Sequence, residues 1–167
     1  MGVDLAGRRL FPGPLHLANL LIAVERDLIE SAVTRIPTPN GLLEDGWWQV
    51  IRRMAGRRPY LWRNHREAID KLYLEKGVSS AISFPTGGGK STLAELKIAT
   101  CLLRNEKVVF LVPTHALVDQ TTKALKDTFN TFEIVGDATE DDFSIGDLLV
   151  LPEAIVTTPE RCLMLMS

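Results

Sequence analysis

Apolar residues at Leu17, Leu20, Leu21, Val24, Leu28 and Ala32 recur at the three- and four-residue spacing of one helix face, which predicts a helix over residues 14–33. Residues 34–41 carry two prolines and an Asn-Gly pair, and so read as a turn or short linker. A second helix is predicted over residues 42–55, with Trp47 and Trp48 supplying large apolar area and Gly56 near its end. After Gly77 the rhythm changes. Short apolar runs at 81–84 and 108–112, with weaker ones at 132–135 and 154–157, alternate with helical stretches at 91–105 and 116–129. That alternation is the signature of βαβ units, so the fold class is α/β with a parallel sheet, preceded by an α-helical extension over residues 1–60. The continuously apolar run at 108–112 predicts a strand covered by helices on both faces. On the predicted helices, Leu93, Leu96, Ala99 and Leu103 share one face of the first, and Leu117, Thr121, Leu125 and Phe129 one face of the second.

Composition narrows the class. With 46% hydrophobic and 24% charged residues in 167, the chain can bury a core of its own, and disorder is excluded. The net charge of −2 gives no global positive field for a polyanion. Six arginines nevertheless cluster between positions 52 and 66, either as a solvated face or as a patch for phosphates, which guanidinium groups bind through forked hydrogen bonds. Cys101 and Cys162 are far apart, which argues against a disulfide framework or a zinc site, and a reducing cytoplasm is the expected location. No apolar run reaches the ~20 residues of a membrane span, and the N-terminal residues lack a signal-peptide pattern. His16, His65 and His115 share neither a helix face nor metal-ligand spacing.

Candidate chemistry is concentrated in Pro85-Thr86-Gly87-Gly88-Gly89-Lys90-Ser91, between a predicted strand and a predicted helix. Consecutive glycines let the backbone curl round an oxyanion and aim its N–H groups inward, and the following helix adds its positive end. Lys90 is placed to reach the β/γ-phosphates and the Ser91 hydroxyl to ligate Mg²⁺. The strict phosphate-loop pattern fails at its first position, which is Phe84. A flexible turn before an exposed lysine is the plain alternative, but strand, loop and helix stand here in the order that phosphate binding needs.

Four segments together resemble superfamily 2 helicases, of the DEAD/DEAH-box and Ski2-like groups. Pro85–Ser91 resembles their motif I, Pro113-Thr114-His115-Ala116-Leu117 with Gln120 their motif Ia, and Thr158-Pro159-Glu160-Arg161 their motif Ib. Arg66-Glu67-Ala68-Ile69 resembles the segment preceding the loop, with His65 where the family has an adenine-reading glutamine. The resemblance covers residues 61–167 and implies the first RecA-like domain of an ATP-dependent helicase, truncated before motif II. It implies ATP and Mg²⁺ as cofactors, and places His65, Arg66 and residues 85–91 at the nucleotide, with Lys90 and Ser91 serving catalysis. Pro113, Thr114, His115, Thr158, Pro159 and Arg161 would then contact a single nucleic-acid strand. Local chemistry gives Thr114 and Thr158 a second reading as helix caps.

The apolar run at 148–151 is not the acidic motif, since Pro152 stands where a Mg²⁺-associated Asp is needed and the run precedes the Thr-Pro-Glu segment. The chain stops as an apolar helical segment begins at Leu163 and reads as cut before that motif; the remainder, with a second RecA-like domain and its arginine finger, is an expected partner. The 167 residues alone are expected to bind nucleotide but turn it over poorly. The competing reading is a nucleotide-binding regulatory or assembly module, with residues 1–60 as a platform for a protein partner and Trp47 and Trp48 either as its anchors or as core. A small-molecule kinase would not account for the Pro-Thr and Thr-Pro-Glu segments.

Overall fold

In the computed structural model of the protein, which describes residues 12–137 and 151–165, the first element is α1 (Pro12–Ser31). Its periodicity makes a helix, but its apolar side is left open: Leu17, Leu20, Leu21, Val24 and Leu28 are each at least 42% exposed. Among the described residues, its C-terminal end is fastened. The Leu61 N–H donates to the Ser31 carbonyl at 2.7 Å, Val33 N–H donates to Pro59 at 2.9 Å, and Arg66 holds Asp27 at 3.1 Å.

Helix α2 (Glu44–Ala55) begins with two acids and ends with two arginines, matching the helix dipole at both ends. It buries Trp47, Val50, Ile51 and Met54, and the indole N–H of Trp47 donates to the Ile36 carbonyl at 3.5 Å. These side chains share one core with Leu93 and Leu96 of α4 (Lys90–Leu103), Val118 of α5 (His115–Thr128) and the strands. Both tryptophans therefore belong to the core, Trp47 fully and Trp48 partly. Three of the arginines after them are not an idle surface. Arg53 donates to the Thr128 carbonyl at 3.1 Å, Arg57 to Thr128 Oγ1 and the Asp127 carbonyl at 2.8 Å each, and Arg58 to Thr92 Oγ1 at 3.2 Å and Glu95 at 3.0 Å. Arg53 and Arg57 thus occupy carbonyls that the end of α5 leaves unsatisfied, while Arg58 ties the end of α2 to the first turns of α4.

The sheet has three parallel strands in the order β1-β3-β2: β1 (Val108–Leu111), β2 (Ile134–Gly136) and β3 (Ala154–Thr157). Val108 pairs with Ala154 and Leu111 with Thr157, while Ile134 pairs with Ala154 from the other side. Central β3 is buried throughout. Edge strand β1 is not covered on both faces as predicted: Val109 and Leu111 are half-exposed, because the described helices pack against only one of its faces.

The predicted strand at 81–84 is a second departure. Ile82 and Phe84 pack on the core and Ala81 and Ser83 are exposed, as a strand would have them, but no ladder partner exists among the described residues. Alternation sets side-chain direction; hydrogen bonds from a neighbour make the strand. α3 (Arg63–Asp70) precedes this segment, and α6 (Pro159–Leu165) is the last element among the described residues. The run at 148–150 and residues 166–167 lie outside the described residues. No described helix is long and apolar enough to cross a membrane.

Candidate nucleotide and nucleic-acid site

The glycine loop leads from the extended segment into α4, and each glycine has a physical reason. Gly87 and Gly89 adopt φ of +81° and +77°, which L side chains rarely tolerate. A Cβ on Gly88 would stand 2.9 Å from Phe84 Cβ and from the Pro85 carbonyl oxygen, and one on Gly89 would run into the His65 ring. The Gly88 N–H closes the turn on the Pro85 carbonyl at 3.0 Å. Gly89 is the N-cap of α4 and no side chain caps that end; the Thr92 N–H is taken by the Gly89 carbonyl at 3.0 Å, which leaves the Lys90 and Ser91 amides to an anion. Lys90 Nζ donates to the Phe84 carbonyl at 2.9 Å, which carries the ammonium back across the loop. Ser91 is exposed beside it, on a groove of about 280 Å³ shared with Arg58, Glu95 and Gln120. Among the described residues no three His, Cys, Asp or Glu side chains gather around a metal position. An exposed hydroxyl in the first turn fits a Mg²⁺ that arrives with phosphate oxygens.

Residues from α3 form the other wall. An open cleft of about 460 Å³ lies between Trp62, Arg63, Asn64 and Glu67 on one side and residues 85–88 on the other. Asn64 Nδ2 donates to the Gly88 carbonyl at 3.2 Å. Trp62, 65% exposed, presents an aromatic face beside the loop. The sequence reading missed Trp62 and Asn64; the available signal was a tryptophan and a carboxamide directly ahead of His65. His65 does reach the loop, but as a buried ring whose two nitrogens already meet backbone groups of Trp62 and Gly88, so it has no edge left for a base. Burial first, and the Arg58 charge less strongly, push its pKa below the usual 6.5 against the pull of the Gly88 and Gly89 carbonyls. Arg66 is not brought to the loop: it turns to α1 and pairs with Asp27 and Glu30, at 3.1 and 3.7 Å.

The remaining candidates gather where β1 and β3 end side by side. Pro113, Thr114 and His115 are exposed after β1. Thr114 caps α5, accepting the Leu117 N–H at 3.4 Å, and Thr158 caps α6, accepting the Arg161 N–H at 3.4 Å. Thr158 is buried in that cap, whereas Pro159 is exposed and Arg161 half-buried. His115 Nδ1 meets the Asp137 carboxylate, from the end of β2, at 2.9 Å. The C-terminal edge of a parallel sheet is where such folds place their ligands.

Comparison with known proteins agrees with this fold. A family model described as DEAD/DEAH box helicase matches residues 62–167. Over 87 residues the chain is 36% identical to the ATP-dependent DNA helicase Hel308 of Pyrococcus horikoshii, a match that takes in 52% of this chain and only 12% of that protein. Two solved structures share the fold across 74% of this chain. One is a hypothetical ATP-dependent RNA helicase from Sulfolobus tokodaii, with TM-score 0.54, 19% identity and 36% of that chain covered. The other is the DUF1998 helicase MrfA bound to DNA, with TM-score 0.52, 17% identity and 18% covered. The parallel sheet and its helices match those of RecA-like helicase domains, and the chain belongs to the DEAD/DEAH box helicase family.

Proposed function

We propose that these residues are the nucleotide-gripping part of an ATP-dependent, Ski2-like helicase or translocase that moves along single-stranded DNA or RNA. The observation that carries the reading is the loop of Gly87, Gly88 and Gly89, bent by two positive φ angles onto the open N-terminus of α4 with Lys90 across it. In this reading the loop amides and Lys90 hold the β/γ-phosphates, Ser91 holds Mg²⁺, and Trp62 offers the base a stacking surface. Thr114, His115 and Arg161, at the ends of β1 and β3, contact the strand's backbone without reading sequence. Hydrolysis in this reading also needs a carboxylate that holds Mg²⁺ and positions water, and an arginine finger from a second RecA-like domain. Free Cys101 and Cys162 support a reducing, cytoplasmic setting. The open apolar side of α1 supports a protein partner on the N-terminal extension.

The test is ATP turnover by the full-length protein with and without single-stranded DNA or RNA. Polymer should stimulate turnover, and Lys90→Ala should lower it by roughly a hundredfold or more, the scale of losing one transition-state donor. Nucleotide binding without stimulation by either polymer would reject the motor and leave the regulatory module.

A further inference from the structure

His65 lies on α3, yet it is only 1% exposed and its ring is engaged at both nitrogens. Nδ1 meets the Trp62 amide N–H at 3.2 Å, and Nε2 meets the Gly88 carbonyl at 3.2 Å. An amide N–H only donates and a carbonyl only accepts, so both contacts are satisfied by one species: the neutral ring with its proton on Nε2. The same ring lies so close to Gly89 that a Cβ there would overlap it, and the Phe84 ring backs it at 6.0 Å. Two of the three loop glycines thus rest on one imidazole.

We propose that His65 is a positioning residue for the phosphate loop that works only in its neutral form, so that acid loosens the loop's grip on triphosphate. This rests on the nucleotide reading above. Protonation would put a second N–H on Nδ1, facing the Trp62 N–H; two donors would oppose each other, the ring would turn, and Gly88 and Gly89 would lose their support. The charged groups around the ring do not rescue the imidazolium. Arg58, after α2, repels it and is paired with Glu95 of α4. On α3, Arg63 is paired with Glu67 and Arg66 with Asp27 of α1, while on the loop side Lys90 turns to the Phe84 carbonyl. Because burial holds the ring's pKa below 6.5 in the folded protein, the unfolded chain binds the extra proton first. Support from His65 is therefore complete above about pH 6.5 and is lost as pH falls from there through the ring's own lowered pKa.

The test compares binding of a fluorescent ATP analogue to the intact protein, from pH 8 to pH 5, between wild type and His65→Gln. A glutamine carboxamide can accept from Trp62 and donate to Gly88 without titrating, and protonation of the analogue itself affects both proteins alike. Relative to its own affinity at pH 8, wild type should lose roughly tenfold more by pH 5 than the variant does; profiles that superimpose after that normalisation would overturn the proposal. A second readout is the His65 ring pKa in wild type by NMR. Saturation with the analogue should lower it by reciprocity, and an unchanged or raised value would overturn the proposal even if the variant fails to fold. Folded wild type that binds no analogue at pH 8 would instead reject nucleotide binding itself, and this inference with it.

Discussion

At the scale of a residue, Gly77 and Gly89 separate backbone strain from contact. Both have positive φ, +73° and +77°, but a Cβ on Gly77 would meet open space while one on Gly89 would overlap His65. Gly77→Ala should cost only the left-handed conformation, about 1 kcal/mol, and leave binding of an ATP analogue intact. Gly89→Ala should cost about 2–3 kcal/mol in denaturant unfolding and remove that binding, since either the loop or His65 must move. Equal losses in the two variants would mean that the ring does not constrain the loop. The loop itself was legible in the sequence, because glycine spacing and a following Lys-Ser are local facts. The role of His65 was not: its contact with Gly88 joins residues 23 positions apart, and nothing at position 65 announces that a carbonyl will arrive there.

At the scale of an element, apolar periodicity announced the helices but not what each would meet. On α4 Leu93, Leu96 and Ala99 are buried as predicted, but Ile98 and Leu102 are buried with them and the predicted Leu103 only partly; on α5 Val118 and Thr122 replace Leu117 and Thr121. Neighbouring positions on a helix differ by only 100°, so the packing partner decides which is innermost. The segment at 81–84 shows the same limit for strands. α1 and α2 are the sharpest contrast, because both have the pattern and, among the described residues, only α2 has its apolar face covered. Trp47→Ala should therefore cost about 3–5 kcal/mol, as a fully buried indole leaves a cavity in the shared core. The double change Leu21→Glu and Leu28→Glu on α1 should move the stability of the 167-residue chain by no more than about 0.5 kcal/mol each. Chemical denaturation of both variants checks this; a large loss in the α1 variant would show that its apolar side is covered in solution.

At the scale of the whole molecule, charge placement decides how a strand of nucleic acid would be held. The chain carries a net charge of −2, and Arg53, Arg57 and Arg58 spend their guanidinium groups binding helix ends together. At the C-terminal edge of the sheet, His115 faces the Asp137 carboxylate, and Arg161 is the permanent cation among the candidate contacts. Binding to a single strand would then release few counterions, and the slope of log affinity against log salt should be shallow, about −1 for this chain, at roughly −0.7 per neutralised phosphate. Arg161→Ala should flatten that slope by about 0.7. Arg57→Ala should leave the slope unchanged while lowering stability by about 1–2 kcal/mol, because its guanidinium serves Thr128 and the Asp127 carbonyl. Titration of a fluorescent single-stranded oligonucleotide at several salt concentrations distinguishes the two arginines. A slope that flattens with Arg57→Ala instead would place the strand along α2, on the opposite reading of the arginine cluster.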